Sequence, residues 1–132
     1  MARARVLIVG LEPSLIDFSD PAYAPGRNAA AVRAGLETDE AHLNALGYDA
    51  ELCLIDFGET AEMVLRHRLG QKSFDCILIG AGVRLAPQNT LLLEKLVNIA
   101  HTDAPQAKLC FNTKPTDTAE AVQRWVPPSG QA

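Results

Sequence analysis

Polar side chains and glycines gather in three stretches that each follow an apolar run. "GLEPSLIDFSDPAYAPGRN" (10–28) follows "RVLIVG", "GAGVRLAPQN" (80–89) follows "FDCILIG", and "NTK" (112–114) follows "AKLCF". Polar groups just beyond buried strands are typical of binding sites in open α/β sheets. The candidate ligand-binding residues are therefore Glu12, Ser14, Asp17, Asp20, Tyr23, Gly80, Gly82, Arg84, Asn112 and Thr113.

Two kinds of chemistry are open to these residues. Gly80 and Gly82 permit a close backbone approach or a positive φ, so exposed amides with Arg84 as counter-charge could hold a small anion. Alternatively, both glycines only form a turn. Asp17 and Asp20 could act as acid and base or bind a cation, but Asp20 precedes a proline and can simply cap a turn. For the two glycines and for the two aspartates alike, the sequence favours a role in forming turns over a role in binding or catalysis.

No recognised catalytic set accompanies these candidates. Ser14 lacks the Gly-x-Ser-x-Gly elbow, and Cys110 lies inside an apolar run, where burial disfavours a thiolate. There is no Cys-x-x-Cys, and His42, His67 and His101 fall in separate segments, so we expect no metal site. "GAGVRLAP" lacks the third glycine of a dinucleotide fingerprint, and we expect no cofactor. Whether the chain is an enzyme stays open.

The strands and helices that would position the candidate residues can be read from the hydrophobic pattern, in which short apolar runs alternate with segments of helical spacing. Apolar runs over 5–10, 50–56, 74–80 and 107–113 indicate strands buried on both faces. Between them, helical spacing predicts four helices: Asn28 to Gly47, about Glu59 to Leu69 with its end at Gly70, Asn89 or Thr90 to just before Pro105, and Thr116 or Asp117 through Trp125.

The strict alternation of strands and helices predicts an α/β fold with a doubly wound, parallel, four-stranded sheet in the order 2-1-3-4. The fold would be a three-layer α/β/α sandwich. The 132 residues suit a single domain, which we assign to 1–126, with a flexible tail over 127–132.

The opening loop lies where such a fold places its ligands. With order 2-1-3-4, the strand order reverses between the first and third strands, and ligands bind beyond their carboxyl ends. A loop over 11–27 is long for a compact domain, and loops of that length are usually functional or disordered. Leu15, Ile16, Phe18 and Tyr23 could anchor it, so we expect an ordered loop that covers a site.

"RVLIVGLE" and "FDCILIG" within this order of elements resemble the receiver domain of response regulators, which has a flavodoxin-like fold. The resemblance covers 5–125 in outline. Gly10 and Leu11 stand where the family has its acidic pair, Gly80 stands at the phosphate-accepting aspartate, and Thr113 fits the hydroxyl residue after the fourth strand. It therefore implies a receiver-like scaffold without phosphoryl transfer. "IDFSDPAYAPG" and "IGAGVR" are also similar to small bacterial proteins, which implies no activity.

The net charge limits the classes of partner to expect, and the cysteines indicate the redox state of the compartment. A net charge of −4 gives no electrostatic reason to expect nucleic acid or an anionic membrane. The apolar stretch in "MARARVLIVG" is too short for a signal peptide, so we expect a cytoplasmic protein. Cys53, Cys76 and Cys110 each lie in an apolar run, which is typical of buried, reduced thiols rather than disulfide partners.

Two functions remain. The favoured one is a non-phosphorylatable interaction module that forms a homodimer or binds another protein, because the fourth strand "KLCFNT" would be an open edge. Leu109, Phe111 and Trp125 would be its interface residues. The alternative is a small-molecule site, possibly an enzyme, at the carboxyl edge of strands 1 and 3 under loop 11–27. A small anionic ligand is the candidate there.

Overall fold

The protein is built around a parallel sheet of four strands, seen in a computed structural model that describes residues 2–21, 23 and 25–128. The strand order is β2-β1-β3-β4. The predicted α/β fold and its flavodoxin-like 2-1-3-4 order are confirmed. The strands are β1 (Arg5–Leu11), β2 (Asp49–Ile55), β3 (Cys76–Ile79) and β4 (Lys108–Phe111).

The central strand β1 is paired along both of its sides. Arg5 is opposite Asp49 of β2, and Val6 is opposite Cys76 of β3. Helices cover both faces, so six of the seven β1 residues are buried, which explains the unbroken apolar run in the sequence. β4 pairs with β3 only and forms an edge, as predicted.

Within the described residues, five α-helices connect and cover the strands. The Asn28 side chain accepts a hydrogen bond from Ala31 N at 2.9 Å and begins the first helix as predicted. Gly47, at φ 107°, ends it in the left-handed conformation. The helices are α1 (Ala29–Ala45), α2 (Ala61–Gln71), α3 (Ala81–Arg84), α4 (Thr90–Asp103) and α5 (Thr118–Gln123).

Several predicted boundaries were wrong. The stretch 80–89 was expected to be a loop, yet α3 follows β3 directly because the Gly80 carbonyl accepts the amides of Val83 and Arg84. α2 continues through Gly70 to Gln71, since Gly70 has no positive φ and nothing ends the helix there. α5 ends before Trp125.

The start of α2 depends on one carboxylate. Asp56 accepts hydrogen bonds from the amides of Gly58, Thr60 and Ala61 and from the Thr60 hydroxyl. The Thr60 hydroxyl contributes most to lowering the pKa of Asp56. Gly58, at φ 135°, makes the turn before the helix. Asp56 is therefore occupied in forming this turn.

The sheet separates two apolar cores. On one face, α2 and α4 bury Leu65 and Leu96 against the sheet beside Phe74. On the other, α1 and α5 bury Leu43 beside Tyr48, whose hydroxyl donates to the Val126 carbonyl at 2.6 Å. The aromatic ring thus connects the end of α5 to the start of β2.

The three cysteines are buried and free, as the apolar runs suggested. Cys53 lies in the α2/α4 core, where burial raises the pKa of its thiol to about 11. Cys76 and Cys110 lie in the other core, with their sulfurs 2.8 Å apart. The sequence did not indicate that contact, because it depends on the β3–β4 pairing.

The last described residues return to the start of the sheet. Ala4 N donates to the Pro128 carbonyl at 2.7 Å. The tail predicted over 127–132 lies outside the described residues from 129 onward. Among the helices described, none has the length and apolar composition needed to cross a bilayer.

Candidate functional site

A cavity of about 170 Å³ opens at the carboxyl ends of β1 and β3. Gly10 and Leu11 of β1 form part of its wall, and Gly80–Gly82 after β3 form another part. The rest comes from the loop after β1, one face of α1, Asn112 and Pro115. This is the edge at which the strand order reverses between β1 and β3.

The loop after β1 contributes Ile16, Tyr23 and Arg27 to the cavity wall. Ile16 also packs against the α2/α4 core. The Tyr23 ring lies 5.1 Å from that of Phe18, between centroids. Glu12 binds Arg33 of α1 in an ion pair, which ties the start of the loop to the helix. The loop therefore has its own contacts on both sides of the cavity.

One face of α1 forms the opposite wall. Ala31, Gly35 and Asp39 recur at four-residue intervals and line the cavity together with Val32 and Leu36. Small residues at two of these positions leave space beside the helix, and a Cβ at Gly35 would meet no heavy atom within 4 Å. At the end of the row, this face presents a half-buried carboxylate.

Asp39 is held by a chain of hydrogen bonds. The Thr118 hydroxyl donates to Asp39 Oδ2 at 2.9 Å, and Asn112 Nδ2 donates to the Thr118 hydroxyl at 3.1 Å. Asn112 Oδ1 accepts the Ala81 amide at 2.8 Å. Burial raises the pKa of Asp39, and the nearby Asp117 charge raises it further. The chain therefore connects α1, α5, β4 and α3 beneath the cavity.

Arg84 joins the ends of two strands. Its Nε donates to the Ile79 carbonyl at 3.0 Å, its Nη2 donates to the Asn112 carbonyl, and its guanidinium lies 5.1 Å from the Phe111 ring centroid. Burial lowers the pKa of Arg84, and the charge of Asp117 opposes that effect. Arg84 is absent from the cavity lining, because these carbonyls draw its side chain along the strand ends.

The carboxylates of two acidic loop residues, Glu12 and Asp17, accept hydrogen bonds within turns. Asp17 accepts hydrogen bonds from the Ser19 amide and hydroxyl, and that hydroxyl contributes most to lowering the pKa of Asp17. Glu12 accepts the Ser14 amide, which is the main cause of its lowered pKa. The Asp20 carbonyl accepts the amide of Tyr23. None of these three carboxylates lines the cavity.

Gly80 and Gly82 line the cavity without a positive φ. Gly80 has φ −69°, and Gly82 lies inside α3. The amide of Ala81 between them is already bonded to Asn112, so the expected cluster of exposed amides is not formed at that position. Thr113 is exposed and donates through its amide and hydroxyl to Asp117, which starts the turn before α5.

Four of the ten predicted residues line the cavity, namely Tyr23, Gly80, Gly82 and Asn112. The other six, Glu12, Ser14, Asp17, Asp20, Arg84 and Thr113, lie outside its lining. The sequence interpretation missed Arg27 and Asp39. A signal for Asp39 existed, because it continues the four-residue spacing of the small residues Ala31 and Gly35 on α1.

The predicted interface residues lie on and near the edge strand. Trp125 is 58% exposed and Phe111 is 36% exposed. Leu109 is half-buried and packs against the α2/α4 core. Arg124 donates to the Phe111 carbonyl at 3.0 Å and so occupies one acceptor of the strand end.

No protein-family model matches the chain, and no curated protein matches it. Across residues 2–21, 23 and 25–128, no group of three or more His, Cys, Asp or Glu side chains is arranged to hold a metal ion.

Proposed function

We propose that this protein binds a small organic molecule in the cavity between the carboxyl ends of β1 and β3 and helix α1. The observation that carries the proposal is the position of that cavity, at the strand-order reversal where α/β sheets take their ligands. The wall combines apolar side chains with a few polar groups, Asp39, Asn112 and Arg27, which is the usual make-up of a small-molecule site.

The size of the cavity suits a ligand of about one ring. An engineered protein cavity of about 150 Å³ takes up benzene, and this cavity is about 170 Å³. Ile16 and Tyr23 at its wall come from the loop, so the ligand would lie beneath residues that follow β1. This proposal takes the second of the two functions suggested by the sequence as the better supported one.

A pair of glycine substitutions tests the proposal. Gly35→Leu would extend a side chain into the cavity, whereas Gly70→Leu would extend one from α2, away from the cavity lining. Neither new Cβ meets a heavy atom within 4 Å, and each change replaces a helical glycine with a better helix former. The two variants are therefore matched in stability effect and differ in the filled space.

Native mass spectrometry and toluene titration followed by NMR provide the measurement. We expect a retained small adduct, or toluene-dependent shifts at Gly10 and Gly82, in the wild type and in Gly70→Leu but not in Gly35→Leu. Binding that survives Gly35→Leu would contradict the proposed location. Absence of any adduct and of any toluene response in all three proteins would contradict small-molecule binding in this cavity.

A second candidate function is self-association or protein binding through the edge strand β4. Its support is the exposure of Trp125 and Phe111 on and near an edge strand, since large exposed apolar side chains often anchor interfaces. Sedimentation should then show a dimer that Trp125→Glu dissociates. Met63→Glu, at a residue of α2 that is 66% exposed, is the matched control. A monomer at all concentrations would contradict a homodimer.

We also propose a cytoplasmic location. The support is that all three cysteines are free and buried, which suits a reducing compartment. Fractionation of the native host with a specific antibody tests this directly, and recovery in a secreted or membrane fraction would contradict it.

A further inference from the structure

We propose that the cavity selects a small ring that carries a cationic or N–H-donating group, and that Asp39 binds this group. The inference rests on the proposed function and concerns the chemical class of the ligand. It replaces the small anion that the sequence suggested.

The first argument is the free capacity of the Asp39 carboxylate. A carboxylate has two oxygens and can accept several hydrogen bonds. Among the described residues, Thr118 alone hydrogen-bonds to Asp39, and it does so through Oδ2. Thr118 is itself fixed by Asn112, so the carboxylate is held in position before any ligand arrives. A hydrogen-bond donor on the ligand would add to the Thr118 hydrogen bond, and the Asp39 carboxylate is already oriented to accept it.

The second argument is electrostatic. Asp39 is half-buried in a mainly apolar wall, where an ion pair is screened less than at the surface. The charge of Asp117 acts on Asp39 with the same sign and that of His42 with the opposite sign, so the negative potential at this end of the cavity comes from the Asp39 carboxylate itself. A positively charged or N–H-donating group is favoured there.

The anion alternative depends on two arginines. Arg84, the predicted counter-charge, is bound to the Ile79 and Asn112 carbonyls and does not line the cavity. Arg27 does line it, but Arg27 is exposed, and water and salt weaken the attraction of an exposed guanidinium for an anion. The Asp39 carboxylate therefore has more influence than either arginine on the charge of the ligand that the cavity binds.

The shape of the wall favours a flat ligand. Gly35 of α1 and Gly82 of α3 border the cavity, and backbone without a side chain presents a flat surface. No heavy atom lies within 4 Å of an added Cβ at Gly35 or Gly82, so the cavity extends up to the backbone at both positions. Tyr23 adds an aromatic ring that can pack against the face or edge of the ligand.

Four single-ring probes separate these features: benzamidine, benzamide, benzoate and toluene. Each is titrated by NMR into the whole protein and into Asp39→Asn, Glu37→Gln and Gly35→Leu. Asp39→Asn keeps an oxygen for the Thr118 hydroxyl, so we expect it to fold. Glu37→Gln removes one charge from an exposed position of α1 outside the cavity lining, which controls for the loss of net charge.

We expect benzamidine to bind most tightly, benzamide next, and benzoate at least about tenfold more weakly than benzamidine. Asp39→Asn should weaken benzamidine about tenfold and leave toluene unchanged, whereas Glu37→Gln should leave both unchanged. Gly35→Leu should abolish binding of all four probes.

The failures are distinguishable. Tightest binding by benzoate, or equal binding by all four probes, with loss in Gly35→Leu would overturn the ligand class and leave the proposed function intact. An unchanged benzamidine affinity in Asp39→Asn would overturn the role of Asp39. No binding of any probe to the wild type, or binding that persists in Gly35→Leu, would overturn both the inference and the proposed function.

Discussion

Replacing Arg84 with alanine separates its two possible roles. The sequence suggests that Arg84 contacts a ligand, whereas the structure makes it a clamp between the ends of β3 and β4. If the clamp is its role, Arg84→Ala will lower the free energy of unfolding and leave the binding of a neutral probe such as toluene intact.

The magnitude follows from the contacts that are lost. A hydrogen bond from a charged donor contributes about 1.5–3 kcal/mol, and Arg84 donates to the carbonyls of Ile79 and Asn112. The contact with the Phe111 ring adds about 0.5–1 kcal/mol. Because the side chain is only half-buried, water replaces part of these bonds, and we expect a loss of about 2–4 kcal/mol.

Urea unfolding followed by circular dichroism measures the change in the free energy of unfolding. An unaltered slope of that free energy against urea concentration shows that the folded state is otherwise intact. Arg124→Ala is the matched control. Arg124 also donates to a carbonyl of the β4 end, that of Phe111, but it is exposed, so its loss should cost less than about 1 kcal/mol.

An Arg84→Ala protein with the stability of the wild type, or of Arg124→Ala, would refute the clamp. If that protein were stable and had also lost ligand binding, the interpretation of Arg84 as a ligand contact would be correct and the cavity would have to extend to the guanidinium.

Three further predictions follow from buried groups. Tyr48→Phe leaves the buried Val126 carbonyl without its hydroxyl donor and should cost about 1–3 kcal/mol in urea unfolding, and no loss would argue against that bond. Because burial raises the pKa of Asp39, the charged carboxylate opposes folding at neutral pH. Asp39→Asn should therefore have a higher melting temperature than the wild type at pH 7. The difference in melting temperature should vanish below the unfolded-state pKa near 3.8, where the carboxyl group is protonated in both states. The buried thiols should not react with Ellman's reagent until denaturant is added, and rapid labelling of the native protein would contradict their burial.

Local sequence patterns were sufficient to predict the fold. Continuous apolar runs indicated strands covered on both faces, and Asn28 and Gly47 marked the ends of α1 through short-range backbone chemistry. The four-residue helix α3 was missed because one turn is too short to show a hydrophobic period.

The site was harder to predict because its contacts are distant along the chain. The Asp39–Thr118 bond joins residues 79 positions apart, and no local pattern encodes it. Arg84 lies outside the cavity lining for a similar reason, since its main acceptor carbonyls become neighbours only when β3 and β4 pair. Tyr23 and Asn112, both predicted as ligand-binding residues, lie in the cavity lining.

The central position of β1 has a consequence for synthesis. Strand β1 needs two strands that are made after it, since Arg5 pairs with Asp49 and Val6 with Cys76. Until β3 leaves the ribosome, the segment "RVLIVGL" has at most one neighbour and exposes apolar surface. Parallel pairings between distant segments also form slowly. The β1 segment of a nascent chain therefore stays open to aggregation until both of its partner strands have been made.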